Sequence, residues 1–114
     1  MSHTLHRHIV TRAREIIGDP ERWTTRELAT GAVGMRVEPT NPGAKRFCAV
    51  GALQRAAAEL VGDTLDAQIL AYESHIAVLA FTGMPEGQTT LEVINDQQGR
   101  EAVLDLFGRY LTMH

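Results

Sequence analysis

The only cysteine, Cys48, lies in the run Arg46-Phe47-Cys48-Ala49-Val50-Gly51-Ala52-Leu53, behind a loop that ends in Pro42, Gly43, Lys45 and Arg46. The apolar residues around and after it predict a helix from about Phe47 to Leu60, which puts the sulfur in the first turn. Free backbone N–H groups and the positive end of the helix dipole stabilise a thiolate there, and two adjacent cations lower a thiol pKa further. Cys48 is therefore a candidate nucleophile. The competing reading is packing, since cysteine is among the most often buried residues and Phe47, Ala49 and Val50 surround it.

A nucleophilic thiol needs a base, and the base needs an orienting group. Downstream the chain offers His75 and then Asn95 and Asp96. A cysteine-dependent hydrolase or acyltransferase would attack with Cys48, use His75 as base and hold the imidazole with Asp96 or Asn95. Chain order is no proof of such a trio, because a triad is defined by geometry. His75 falls beside the apolar stripe Leu65, Ile69, Tyr72, Ile76 and Leu79, which suits a surface histidine with Tyr72, Ile76 and Leu79 in the buried positions.

The run Asn95-Asp96-Gln97-Gln98-Gly99-Arg100 has its own two readings. Asn95 and Gln98 have capping-box spacing, and helix initiation alone explains them. A polar corner of mixed charge before a helix is also a good ligand site. If the fold brings that corner to the start of the Cys48 helix, the residues Arg46, Cys48, Asn95, Asp96 and Arg100 line one cleft with N–H donors suited to a small anion or a peptide carboxylate. His3, His6 and His8 crowd the N-terminus, where fraying outweighs metal binding, so no metal and no cofactor is assigned.

The elements that must position these residues read as mainly helical. Leu5, Ile9, Ala13, Ile16 and Ile17 recur at helical spacing, and Gly18 ends that helix. Asp19-Pro20-Glu21 opens a short second helix, with Thr24 and Glu27 spaced as a further capping box. Glycines and prolines break the 31–45 stretch, in which Met35-Arg36-Val37-Glu38 alternates like an edge strand, so a loop or small hairpin is expected there. After the Cys48 helix, Gly62 stops the chain and Asp63 caps the stripe-bearing helix that runs to Ala80. Thr89 to Ile94 reads as extended, and Asn95-Asp96 as the entry to a last helix carrying Val103, Leu104, Phe107, Tyr110 and Leu111. The expected architecture is a compact bundle of four main helices plus a short one, in a single domain spanning residues 1–114.

Composition bounds the rest. The 114 residues are 44% hydrophobic and 22% charged, which suits one globular core and excludes a disordered chain. One cysteine excludes an internal disulfide and, with no apolar run of membrane-spanning length, points to a cytoplasmic protein. Residues 1–60 carry nine basic and six acidic side chains, whereas residues 61–114 carry two and eight. That polarity suits a homodimer or a protein partner. A single lysine argues against nucleic acid, which would have to be held by Arg7, Arg12, Arg14 and Arg26.

With Asp19-Pro20-Glu21-Arg22-Trp23 upstream, the Cys48 and Asn95-Asp96 segments together resemble a family of small uncharacterised bacterial proteins. Its members share an aromatic-Cys-Ala-x-Gly-Ala-Leu segment and an Asn-Asp-x-x-Gly-Arg segment. The resemblance spans most of the chain and implies an architecture with marked positions, but no activity and no role for His75. The expectation is an interaction or ligand-binding module whose partner is a protein or a small anion, with the Cys48 enzyme as the alternative.

Overall fold

The computed structural model describes residues 2–85 and 87–113. Helix α1 (Ser2–Gly18) begins three residues earlier than periodicity suggests and buries Ile9, Val10, Ala13, Ile16 and Ile17, the face that the sequence marked. Its C-terminal carbonyls, Ile17 and Gly18, accept from Arg100 Nη1 at 3.3 and 2.9 Å, which sets a cation at the negative end of the dipole. Asp19 then accepts from the Glu21 N–H and starts a 3-10 turn, Pro20–Arg22, which goes no further. The expected turn from Thr24 is absent because its backbone is drawn elsewhere: Trp23 bridges to Phe47, and the Thr24 N–H donates to the Phe47 carbonyl at 3.1 Å.

Two short strands follow, β1 (Ala29–Thr30) and β2 (Arg46–Phe47), antiparallel, with Ala29 opposite Phe47 and Thr30 opposite Arg46. The Gly/Pro-rich 31–45 stretch is the excursion between them. Its alternating segment makes no strand but touches β1 through an Arg36–Thr30 bridge and a Val37 N–H to Ala29 carbonyl bond. Arg55 Nη1 fixes the far side of the excursion on the carbonyls of Pro39 and Asn41.

Helix α2 (Ala49–Val61) is the centre of the molecule and packs most extensively against α1 and α3 (Leu65–Leu79). Its small residues, Ala49, Gly51, Ala52, Ala56 and Ala57, are all buried and let neighbours approach closely. Thr64, rather than Asp63, caps α3 by accepting from the Ala67 N–H. The stripe on α3 has the opposite orientation from the one expected. Ala67, Ala71, Ser74 and Val78 face the core, whereas Leu65, Ile69, Tyr72 and Ile76 face solvent. The reason is size: α2 presents a surface of alanines, and small residues fit against it more closely than large ones.

The chain closes with α4 (Leu91–Gln98) and α5 (Arg100–Met113). The region expected to be extended is helical from Leu91, because Thr90 caps α4 on the Val93 N–H and Leu91 and Ile94 bury one face. Asn95 and Asp96 therefore sit inside α4 and start no helix. Gly99, at φ 93°, breaks α4 from α5, which buries Val103, Leu106, Phe107 and Tyr110.

Candidate functional site

Cys48 precedes α2 as its N-cap rather than lying in its first turn. The residue is 3% exposed, and Sγ accepts from the Gly51 N–H at 3.4 Å. Burial pushes its thiol up to about 11, against the smaller pull of the Gly51 and Val50 N–H groups. The sequence put Lys45 and Arg46 beside the sulfur as activating cations. In the fold the charges that act on it are Glu92 and Asp96, both opposing ionisation. Arg46 instead donates from Nε to the Glu21 carbonyl at 3.1 Å.

The donors at the start of α2 are likewise engaged. The Ala49 N–H donates to Asn95 Oδ1 at 3.0 Å and the Ala52 N–H to the Cys48 carbonyl at 2.8 Å. Asn95 is fully buried and makes four bonds in all. Its Oδ1 also accepts from Trp23 Nε1 at 2.8 Å, and its Nδ2 donates to the Thr24 carbonyl and to Asp96 Oδ1. One carboxamide thus joins α4, α2 and the chain after the 3-10 turn. The N–H groups that an anion was expected to occupy are satisfied by protein.

A cleft of about 490 Å³ opens beside this joint, lined by Arg26, Glu27, Leu28, Arg36, Val37, Glu38, Cys48, Glu92 and Asp96. Its charged side chains comprise two arginines and four carboxylates. Arg36 lies 3.7 Å from Glu27, and Asp96 Oδ1 accepts from the Arg26 N–H at 3.0 Å, whereas Glu38 and Glu92 have no ion-pair partner among the described residues. Arg26 adopts φ 71°, the sole non-glycine in the left-handed region among the described residues. Such a conformation costs an L-residue roughly 1 kcal/mol or more and concentrates at functional surfaces.

Of the residues marked in the sequence, the structure brings Cys48, Asn95 and Asp96 together and leaves His75 apart. His75 is half-buried on α3, and its Nε2 accepts from the Leu91 N–H at 3.1 Å, so it helps to cap α4. Burial lowers its pKa. It lines a different cavity, with Tyr72, Ile76, Leu79 and Met84. Arg100 holds the end of α1 and pairs with Glu101 at 2.9 Å. His6, one of the N-terminal histidines, lies 3.0 Å from Glu73.

Glu38 and Glu92 escaped the sequence reading. Glu92 carries a signal, as an acid in the first turn after the Thr90 cap, but only once α4 is read as a helix. Glu38 carries none, since a long excursion places it. Comparison with curated proteins and with solved structures finds no match. The model of the Family of unknown function (DUF6197) matches residues 1–110, so the chain belongs to that family.

Proposed function

We propose that the protein is a non-catalytic binding module and that the cleft beside Cys48 receives a positively charged side chain of a protein partner. The observation that carries this reading is the charge of the lining, two arginines against four carboxylates, with Glu38 and Glu92 unpaired among the described residues. A guanidinium or ammonium group bonded to both would replace water with charge-assisted hydrogen bonds. An anion finds no such support, because the N–H donors at the start of α2 are occupied and the lining repels it. The sulfur serves its own helix, and His75 serves Leu91. The reading includes a bacterial, cytoplasmic setting, supported by the sequence resemblance and by a lone free cysteine.

The test is a nuclear magnetic resonance titration of the full chain with an end-capped Arg-Lys peptide and its Gln-Gln counterpart. Shift changes at the amides of Arg26, Glu38 and Glu92 are expected with the basic peptide alone, and Glu38→Gln with Glu92→Gln removes them. Equal response to the neutral peptide, or none at millimolar concentration, refutes the proposal. Alkylation of native Cys48 by iodoacetamide at neutral pH would instead restore the thiol enzyme.

A further inference from the structure

The outward face of α3 is the most apolar exposed surface of the fold that has a regular pattern. Leu65, Ile69, Tyr72 and Ile76 are 69, 47, 65 and 39% exposed, and with Leu79 they run at alternating spacings of four and three. That is the seam of a two-helix coiled coil, in which large apolar residues interdigitate with those of a facing helix. Among the described residues no helix covers it. At one end of the seam Leu65 projects. At the other, a cavity of about 550 Å³ is lined by Tyr72, Ile76, Leu79 and Met84 among others.

We infer that this face docks a second copy of the chain, with the two α3 helices antiparallel about a two-fold axis between Ile69 and Tyr72. Symmetric interfaces must be self-complementary, and this one is. Leu65 and Ile76 lie equally far from that axis, about 8 Å along the helix, and Ile76 lines the cavity. The axis therefore brings the projecting Leu65 of each copy to the cavity of the other. The four-three-four spacing from Leu65 to Ile76 also reads the same from either end, so the pattern matches itself when reversed.

Size agrees with a second copy. With Met84 at the cavity end, these residues expose on the order of 500 to 600 Å², the area per partner of weak interfaces, which bury less than ~1,200 Å² in total. The seam itself carries no charge. Along one edge Asp66 of one copy comes beside Glu73 of the other, a like-charge contact that weakens the pair, with His6 3.0 Å from Glu73. Along the other edge Gln68 comes beside His75. The dimer is accordingly expected to dissociate in the micromolar to millimolar range. The seam and the cavity at its end share no lining residue with the charged cleft, so the two proposals stand or fall separately.

Sedimentation equilibrium of the full chain from low micromolar to millimolar concentration is expected to show a monomer–dimer equilibrium. Leu65→Glu and Tyr72→Glu, both at solvent-exposed positions, each weaken it by about tenfold or more while far-ultraviolet circular dichroism is unchanged. A second arm is independent of these variants' folding. Tyr72→Cys places a thiol beside the axis, where a short bis-maleimide joins two copies far faster than it does in Val33→Cys, a still more exposed position on the 31–45 excursion; Cys48 is buried. A monomer at all concentrations, a dimer indifferent to both glutamates, or equal cross-linking at positions 72 and 33 overturns the inference.

Discussion

Asn95 Oδ1 accepts the backbone N–H of Ala49 at 3.0 Å, so a side chain from the middle of α4 closes the end of α2 that a ligand would otherwise address. The same oxygen takes the Trp23 indole N–H, and the amide nitrogen takes the Thr24 carbonyl. Three stretches of chain far apart in sequence meet on one buried carboxamide. This joint lies beside the cleft and fixes where Glu92 and Asp96 stand, three residues and one residue away on the same helix.

Asn95→Ala should be among the most destabilising substitutions in the protein. It removes the partner of two N–H donors and a carbonyl, one of them buried and two part-buried, at a cost of about 1–3 kcal/mol for each group kept from water, so a total of about 3–5 kcal/mol is expected. Asn95→Asp keeps both acceptor functions but loses both donors and sets a carboxylate against Asp96, 3.0 Å from the present Nδ2. Urea unfolding followed by Trp23 fluorescence measures both. A loss below about 1 kcal/mol for the alanine variant would remove the joint from the argument.

The Cys48 thiol predicts an alkaline weakness. Its folded pKa is pushed up to about 11 by burial, against ~8.5 for a free cysteine. Below ~8.5 both the folded and the unfolded chain hold the proton, and the stability that depends on the neutral thiol is intact. Above that pH the unfolded chain releases its proton first, so stability falls until the folded thiol also ionises near 11. The gap corresponds to roughly 3 kcal/mol. Cys48→Ser retains an acceptor for the Gly51 N–H and does not titrate, so its urea midpoint should decline less between pH 8.5 and 11 than that of the native chain. Identical alkaline slopes for the two would contradict the burial of the sulfur.

The sequence was most readable where local rules act alone. The spacing of Ile9, Ala13, Ile16 and Ile17 marked the correct face of α1, and Asp19-Pro20 marked the 3-10 turn that caps on Glu21. Periodicity located α3 but not its buried side, because large residues dominate any hydrophobic pattern whereas α2 accepts only small ones. In Thr90-Leu91-Glu92-Val93-Ile94 the apolar residues fit both a period of two and a spacing of three, so the short α4 was indistinguishable from a strand until Thr90 is seen capping Val93. The partners of Asn95 lie 46 and 72 residues away. No local pattern reports bonds of that range, and the same holds for the cleft, whose walls come from the 31–45 excursion and α4.

Glycines inside helices separate close approach from ordinary propensity. Replacing glycine by alanine in a helix interior gains up to about 1 kcal/mol when space allows. At Gly51 an added Cβ would overlap the backbone carbonyl of Leu28, which also accepts the Cys48 N–H at 3.1 Å. Gly51→Ala must therefore push away the strand of chain that forms the cleft floor, and a net loss of about 2 kcal/mol is expected. At Gly108 of α5 the added atom meets only the mobile end of Arg14, at 3.3 Å. Gly108→Ala should gain about 0.5–1 kcal/mol. A Gly51→Ala variant that lost no stability in thermal or urea unfolding would refute the close contact at Leu28.

The strain at Arg26 can be measured in the same way and tied to binding. At φ 71° glycine has no Cβ to clash, whereas alanine keeps the clash and loses the charge. Arg26→Gly is therefore expected to be more stable than Arg26→Ala by about 1 kcal/mol, the reverse of their order in a helix. Each variant also removes a cation from a cleft that the proposed ligand enters with a positive charge. Affinity for the capped Arg-Lys peptide should rise a few-fold in both, to a similar extent, because charge and not backbone conformation governs that effect. If alanine were the more stable of the two, the backbone at position 26 would carry no strain. If binding weakened in both, the arginine would be a contact for an acidic group, and the ligand would have to be sought among anions.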